Sequence, residues 1–437
     1  MSSAVYPWQS LSSEQRLALL ARPAVKDDNR IREGARQIID RVRRDGDAAL
    51  RALTAELDHV TLDELKVSSE EFTAAESSLD SSAIAAIELA IGNVRRFHEA
   101  QLPQPITVET MPGIRCERVS HPLDSVGLYV PAGTAPLPSA AVMLAVPAAI
   151  AGCPERILCT PPRPDGSADS AVLVAAQLAG VTNVFKLGGA QAVAAMAYGT
   201  DSVPAVAKIF GPGNAWVTAA KTLVAMDPEG AAIDLPAGPS EVLVIADDDA
   251  DAGYVAADLL SQAEHGSDSQ VVLVAMSEAF ATEVLAAIDV QLEVLSRRDI
   301  ATAAIANSRF IVAANRDEAV AISNAYAPEH LILQVNDPRD LLPRLRNAGS
   351  VFVGPWSPES VGDYCSGTNH VLPTYGAARS YSGLGVDQFM RHTTIQELSH
   401  SGLESIGQAV TTLAGLEGLD AHANAVTLRL ADEESAS

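Results

Sequence analysis

Two successive series of apolar runs, alternating between strand length and helix length, confine this chain to a narrow set of folds. The first opens at Val126-Gly127-Leu128-Tyr129-Val130 and proceeds through residues 157–159, 171–178, 184–187, 191–197, 208–210 and 215–226. The second opens at Glu241-Val242-Leu243-Val244-Ile245-Ala246 and passes through a helix ending at His265. It continues with short apolar runs at 271–275, 310–314, 330–333 and 350–353. Strands separated by helices pair in parallel, because a tight hairpin joins only antiparallel neighbours. The expected fold class is therefore α/β, with two tandem, incomplete Rossmann-like parallel-sheet domains.

The flanks read differently. Residues 1–27 form a polar arm with a helix over 13–20. Ile31, Ala35, Ile38, Ile39 and Val42 fall at helical spacing; Gly46-Asp47 interrupts, and 48–57 resumes the helical pattern. A further helix is expected over 82–100, closed by Pro103 and Pro105. From residue 384 the chain reads as loop, then helix, ending in the acidic Asp432-Glu433-Glu434. The expected domains are an arm (1–27), a larger α/β domain (28–128 with 241–383), a nucleotide-binding domain (129–240) and a tail (384–437).

Composition removes several function classes. A net charge of −25 with no basic run excludes a nucleic-acid partner. Four scattered cysteines without a CxxC pair exclude a disulfide framework or a thiolate zinc site. The apolar stretch 140–151 is broken by Pro147 and too short to span a bilayer, and the amino terminus lacks signal-peptide character. The expectation is a cytoplasmic chain without a membrane partner. Aromatic residues make up only 4% of the chain, so the cores must be built from Ala, Val, Leu and Ile.

Chemistry-bearing residues cluster at a few junctions. In Ala327-Pro328-Glu329-His330, the proline pushes Ala327 out of the helical region, so a helix stops there and a short strand begins. Glu329 and His330 then supply two proton-transfer groups of different basicity, or else a surface acid beside a core-edge imidazole. Three glycine turns, at Gly188-Gly189, Gly211-Pro212-Gly213-Asn214 and Gly238-Pro239-Ser240, suit either a phosphate at a helix amino terminus or a tight turn alone; none is a GxGxxG. Gln262 and His265 share one face at a helix end, as the start of a zinc site or as hydrogen-bonding groups. Asp363 and His370 bracket a polar loop containing Cys365, which reads as a ligand-and-base segment or as self-capping turns. Glu417 and His422, five apart near the end, read in isolation as surface charge.

Taken together, these segments resemble the L-histidinol dehydrogenase family over nearly the whole chain. The carriers are Arg43-Arg44-Asp45-Gly46-Asp47, Gly127-Leu128-Tyr129-Val130-Pro131, Gly188-Gly189-Ala190-Gln191-Ala192 and Gly211-Pro212-Gly213-Asn214. To these are added Gly238-Pro239-Ser240-Glu241, Gln262-Ala263-Glu264-His265-Gly266, Ala327-Pro328-Glu329-His330 and the loop from Asp363 to His370. The resemblance implies a zinc enzyme that oxidises L-histidinol to L-histidine with two NAD+, the last step of histidine biosynthesis. It implies zinc ligands at Gln262, His265, Asp363 and His422, and an acid–base pair at Glu329 and His330. Substrate contacts are implied at Ser240, His370 and Glu417, as well as at His330 and the zinc ligands, and NAD contacts at Tyr129, Gln191 and Asn214. It further implies a homodimer with intertwined tails, so that Glu417 and His422 serve the neighbouring subunit's site. One departure is visible: Ala132-Gly133 stands where the family usually has two glycines. A zinc hydrolase without a dinucleotide, or a non-catalytic zinc-binding scaffold, are the alternatives.

Overall fold

The computed structural model describes residues 4–22, 29–132, 136–235 and 238–431. Gly133, Ala237, the acidic residues 432–434 and the arm boundary at residue 27 lie outside the described residues. Fourteen strands form among them. They are β1 (Val5–Pro7), β2 (Ile106–Met111), β3 (Ile114–Pro122), β4 (Ser125–Tyr129), β5 (Glu155–Thr160), β6 (Asn183–Lys186) and β7 (Lys208–Phe210). Then follow β8 (Ala232–Ile233), β9 (Glu241–Ala246), β10 (Gln270–Ala275), β11 (Arg309–Val312), β12 (His330–Gln334), β13 (Ser350–Val353) and β14 (Met390–Leu398).

The two α/β series form two parallel sheets. One has six strands in the order β1-β11-β10-β9-β12-β13, the other five in the order β6-β5-β4-β7-β8. Every residue of β9, β10 and β12 is buried. Side chains alternate between faces, so both faces of this sheet must be covered. Val242, Val244, Leu273 and Ile332 pack on one face with Val255, Leu259 and Phe280. Leu243, Ile245, Val272 and Leu331 pack on the other with Ile322 and Tyr326. Burying each such aliphatic side chain contributes roughly 1.5–3 kcal/mol.

Three segments differ from the sequence expectation. The arm is no polar appendage: β1 adds to the sheet edge in parallel with β11, pairing Val5 with Phe310 and Pro7 with Val312. Trp8 and Leu19 are buried in the same core as Tyr326. The Asn29–Leu53 helix, bent at Gly46, places Ala35, Ile39, Val42 and Leu50 in the core of the five-stranded sheet. Residues 390–398, expected within a loop-then-helix tail, pair with residues 106–122 in an antiparallel sheet in the order β14-β3-β2. β2 is exposed along its whole length and β14 nearly so. Strands with no buried face carry no apolar alternation for a sequence reading to detect.

The chain divides into two compact units. The first comprises Met1–Gln101 and Leu123–Phe389 and holds both parallel sheets; the second comprises Leu102–Pro122 and Met390–Ser437. In the second unit the His400–Glu417 and Asp420–Ala431 helices follow the antiparallel sheet. Among the described residues, no helix is long and apolar enough to cross a membrane.

Candidate active site

The Arg316–Tyr326 helix starts from an Asn315 cap and ends with Ala327 in the left-handed region (φ 56, ψ 68). Pro328 forbids a further helical turn, and β12 begins two residues later at His330. A left-handed alanine costs about 1–2 kcal/mol, so surrounding contacts must hold it. The result is a sharp corner that turns both Glu329 and His330 inward, 6% and 4% exposed.

One residue on the neighbouring strand holds both side chains. The backbone N–H of Glu241 donates to Glu329 Oε2 at 2.8 Å, and the Glu241 carbonyl lies 3.0 Å from His330 Nδ1. A carbonyl only accepts, so Nδ1 carries the proton and Nε2 keeps its lone pair. Nε2 is buried without a hydrogen-bond partner and lies 3.9 Å from Asp363 Oδ1. Two acceptors facing each other at this distance suit an incoming donor or cation.

The remaining groups arrive on two helix ends. The Ala252–Ala263 helix, capped by Asp251, delivers buried Gln262 in its last turn and exposed His265 just beyond. The short Glu359–Tyr364 helix crosses near the edge strand, seated where Gly362 meets the Phe352 ring, and carries buried Glu359 and half-buried Asp363. Ligand atoms of His265, Glu359 and Asp363 all lie within 4.8 Å of one another. With its nitrogen turned toward Glu359, the Gln262 amide donates to that carboxylate and accepts from the Glu241 N–H at 3.2 Å. Glu359 was missed in the sequence reading. Its four-residue spacing from Asp363, which puts both carboxylates on one helical face, was the available signal.

Electrostatics follow from burial. Removal from water pushes the Glu329 carboxyl well above its usual range, and the Glu241 and Asp363 charges push it further. Glu359 is raised for the same first reason, then by Asp363, Glu329 and Asp258. Burial lowers His330 and His370, against an opposing pull from Asp363. Three crowded carboxylates beside imidazoles kept neutral form a donor set that fits a divalent cation, zinc included, since it would relieve their repulsion.

The loop after Asp363 is tied down rather than loose. His370 Nδ1 donates to the Asp363 carbonyl at 2.9 Å. Asn369 donates to the Met143 carbonyl at 2.8 Å, and Asn93 donates to the Cys365 carbonyl at 2.9 Å. Cys365 thus contributes its backbone to the loop's anchorage. Ser240 stands immediately before Glu241 and lines a small cleft with Arg22, Gln270 and Tyr375.

Tyr129, Gln191 and Asn214 sit at the other sheet. Tyr129 ends β4; its hydroxyl accepts from Gly189 N–H at 3.0 Å, and burial pushes it up to about 12. Gln191 is buried, donates to Asp58 at 3.3 Å and leaves its Oε1 unpartnered. Asn214 caps the Ala215–Met226 helix through bonds from Trp216 and Val217 N–H. Gly211 bends with φ 119 over the Tyr129 carbonyl, where a Cβ would lie 2.1 Å from that oxygen. Asp234 and Lys221 pin the turn, accepting from its N–H and donating to its carbonyl.

Within the first unit the structure thus gathers Gln262, His265, Glu329, His330, Asp363 and His370, and adds Glu359. Glu417 and His422 belong to the second unit, both exposed, at the end of one helix and in the first turn of the next.

Comparison with known proteins gives one answer. Residues 21–430 match the family model described as histidinol dehydrogenase. A histidinol dehydrogenase from Vibrio parahaemolyticus is 55% identical over 423 residues, covering 97% of both chains. One from Xanthomonas campestris pv. campestris is likewise 55% identical, covering 97% of this chain and 98% of its own. The crystal structure of histidinol dehydrogenase from Elizabethkingia anophelis superimposes with a TM-score of 0.95 at 42% identity, covering 99% of each chain.

Proposed function

The chain belongs to the histidinol dehydrogenase family, and from that premise we propose that it oxidises L-histidinol to L-histidine through the aldehyde, passing two hydrides to two NAD+. It is an oxidoreductase of histidine biosynthesis. The carrying observation is the buried Glu329–His330 corner, held by the Glu241 peptide with an unpartnered Nε2 facing Asp363.

The residues divide the work by their environments. His330, kept neutral by burial, takes the hydroxyl proton at Nε2 as the first hydride leaves. Glu329, whose raised basicity brings its proton exchange closer to neutrality, removes a proton from the water that adds to the aldehyde. His370, fixed by its bond to the Asp363 carbonyl, orients substrate beside Ser240. Gln262, His265 and Asp363 would hold a zinc ion, joined by His422. When bound, the ion supplies charge neutralisation and a grip on the substrate's nitrogen atoms. Tyr129, Gln191 and Asn214, within residues 129–240, would line the NAD site at the glycine turns, where helix amino termini favour phosphate.

A homodimer with shared sites completes this reading. Leu413, Leu416 and Leu428 are exposed on the paired helices of the second unit, with Leu419 exposed between them, as expected of surface meant for a partner. His422 and Glu417 on those helices would then serve the neighbour's site. Mixing His330→Asn with His422→Asn protomers tests this, since each heterodimer would regain one intact site; no rescue would count against sharing.

The reaction itself is tested by adding limiting L-histidinol to zinc-loaded protein with excess NAD+. Absorbance at the NADH band should reach two equivalents per substrate. One equivalent would remove the second oxidation, and none would favour a hydrolase.

A further inference from the structure

Arg22 is not among the residues assigned to substrate or zinc, though it lines the cleft of Ser240, and it grips both sides of the catalytic corner. It follows the Ser13–Leu20 helix, and its side chain is only 11% exposed. Its Nε and Nη2 both donate to the Glu241 carboxylate, Nη2 at 2.8 Å. The same Nη2 reaches the carbonyls of Tyr326 at 2.9 Å and Ala327 at 3.2 Å. The guanidinium carbon lies 4.0 Å from the centre of the Tyr326 ring.

These contacts meet at one place. Glu241 is the residue whose N–H and carbonyl hold Glu329 and His330. Tyr326 and Ala327 end the helix that turns into Pro328-Glu329-His330, and their carbonyls have no helical partner of their own. One planar cation thus ties the start of β9 to the cap before β12. The arm holds that cation in place: β1 is hydrogen-bonded into the sheet, Trp8 and Leu19 are in its core, and Arg309 donates to the Leu19 carbonyl at 3.3 Å.

We infer that Arg22 is a positioning residue, setting the mutual placement of the Glu329 carboxylate and the His330 imidazole by fastening Glu241 to the Tyr326–Ala327 helix end. The inference rests on the reading of Glu329 and His330 as the proton-transfer pair. Lysine does not substitute: a single ammonium lacks the fork that spans a carboxylate and two carbonyls, and it does not stack on the tyrosine ring. Loss of the guanidinium loosens the pair while leaving every residue assigned to substrate in place. The expected mark is therefore a fall in kcat with little change in KM.

The experiment uses full-length, zinc-loaded Arg22→Ala and Arg22→Lys, assayed with L-histidinol at saturating NAD+ beside the parent and His330→Asn. Zinc content and thermal melting are followed in parallel. In both variants kcat should fall about 10- to 100-fold, while KM for L-histidinol stays within about threefold. Millimolar methylguanidinium should restore part of kcat to Arg22→Ala, whereas methylammonium should not. If Arg22→Ala is too unstable to assay, Arg22→Lys and Glu241→Gln carry the same kcat-against-KM comparison. Parental kcat in a folded variant would overturn the inference. So would a loss matched by the folded fraction, or one confined to KM. An inactive parent, or a fully active His330→Asn, would instead defeat the underlying reading of the pair.

Discussion

In the six-stranded sheet the titratable cluster gathers at the amino ends of the strands, since Glu241 begins β9 and His330 begins β12. In the five-stranded sheet the glycine turns follow the carboxyl ends of β6 and β7, and Tyr129 ends β4. Ligands of open α/β sheets generally sit at the carboxyl edge, so the glycine turns lie at the edge that rule favours and the titratable cluster lies at the other. Helix polarity gives the reason. A crossover helix brings its amino terminus to the carboxyl edge, offering N–H groups suited to phosphate. It brings its carboxyl terminus to the amino edge, where carbonyls and acidic side chains suit a cation. Gln262 and His265 stand at such a carboxyl terminus, whereas Asn214 stands at an amino terminus. Two edges of opposite polarity in one unit suit two kinds of ligand.

The contrast can be broken by perturbing one edge at a time. His330→Asn should lower kcat by about a thousandfold at the amino edge, within the usual range for a lost general base, while leaving NAD+ affinity near the parent's. Stopped-flow turnover and fluorescence titration of NADH would show whether the two properties separate. Glu329→Gln belongs to the same series and should slow aldehyde oxidation more than alcohol oxidation. Equal loss in both half-reactions, with histidinaldehyde supplied, would exchange or merge the proposed roles.

Next in size, His265→Asn or Asp363→Asn should remove most bound zinc, because deleting one donor from a small ligand set weakens metal affinity steeply. Elemental analysis reads this directly, and full occupancy in either variant would take that residue out of the ligand set. At the opposite edge, Gly211→Ala forces a methyl to within 2.1 Å of the Tyr129 carbonyl and strains a φ of 119. KM for NAD+ should rise about tenfold, with zinc content unchanged. Zinc loss in this variant would mean that the two edges are not independent.

The smallest expected effect concerns Asp258, buried behind Glu359 and accepting from Gln334 at 3.4 Å. Burial pushes its carboxyl up to about 6 from an ordinary 3.8, so between these pH values the folded chain holds a proton that the unfolded chain has lost. Its contribution to stability is thus greatest at low pH and declines as pH rises through about 6. In metal-free protein Asp258→Asn should be more stable than the parent by about 3 kcal/mol above pH ~6, with the advantage gone near pH ~4. Melting temperatures across that interval decide it; a constant difference would mean that the carboxyl does not titrate there.

How much of this was legible beforehand varied with locality. The corner at Pro328 was, because a proline's steric demand on the residue before it acts over two positions. The nearness of Gln262 and His265 was legible only in part, because the helix ends at Ala263 and His265 follows on a turn rather than on the same helical face. Glu359 carried a comparable signal with Asp363 that went unread. Arg22 carried none: an arginine in a polar arm looks like any solvated charge until β1 docks and places it against Glu241, 219 residues away. The sheet formed by β2, β3 and β14 was hidden for another reason, since its largely exposed strands lack a buried stripe.

The sequence by itself determined the elements and the residue types at their ends, through short-range sterics and apolar periodicity. It determined that a helix would stop at Ala327, that glycines would turn the chain after β6 and β7, and that the strands of the two alternating series would run parallel, whereas the helix expected to reach His265 ends at Ala263. Only the tertiary structure decided that β12 lies beside β9, which lets one peptide group hold both Glu329 and His330. It alone put Arg22 behind that peptide and brought His265 within reach of Glu359 and Asp363. Strand order is set by how whole buried faces pack against one another, and no local pattern along the chain carries that information.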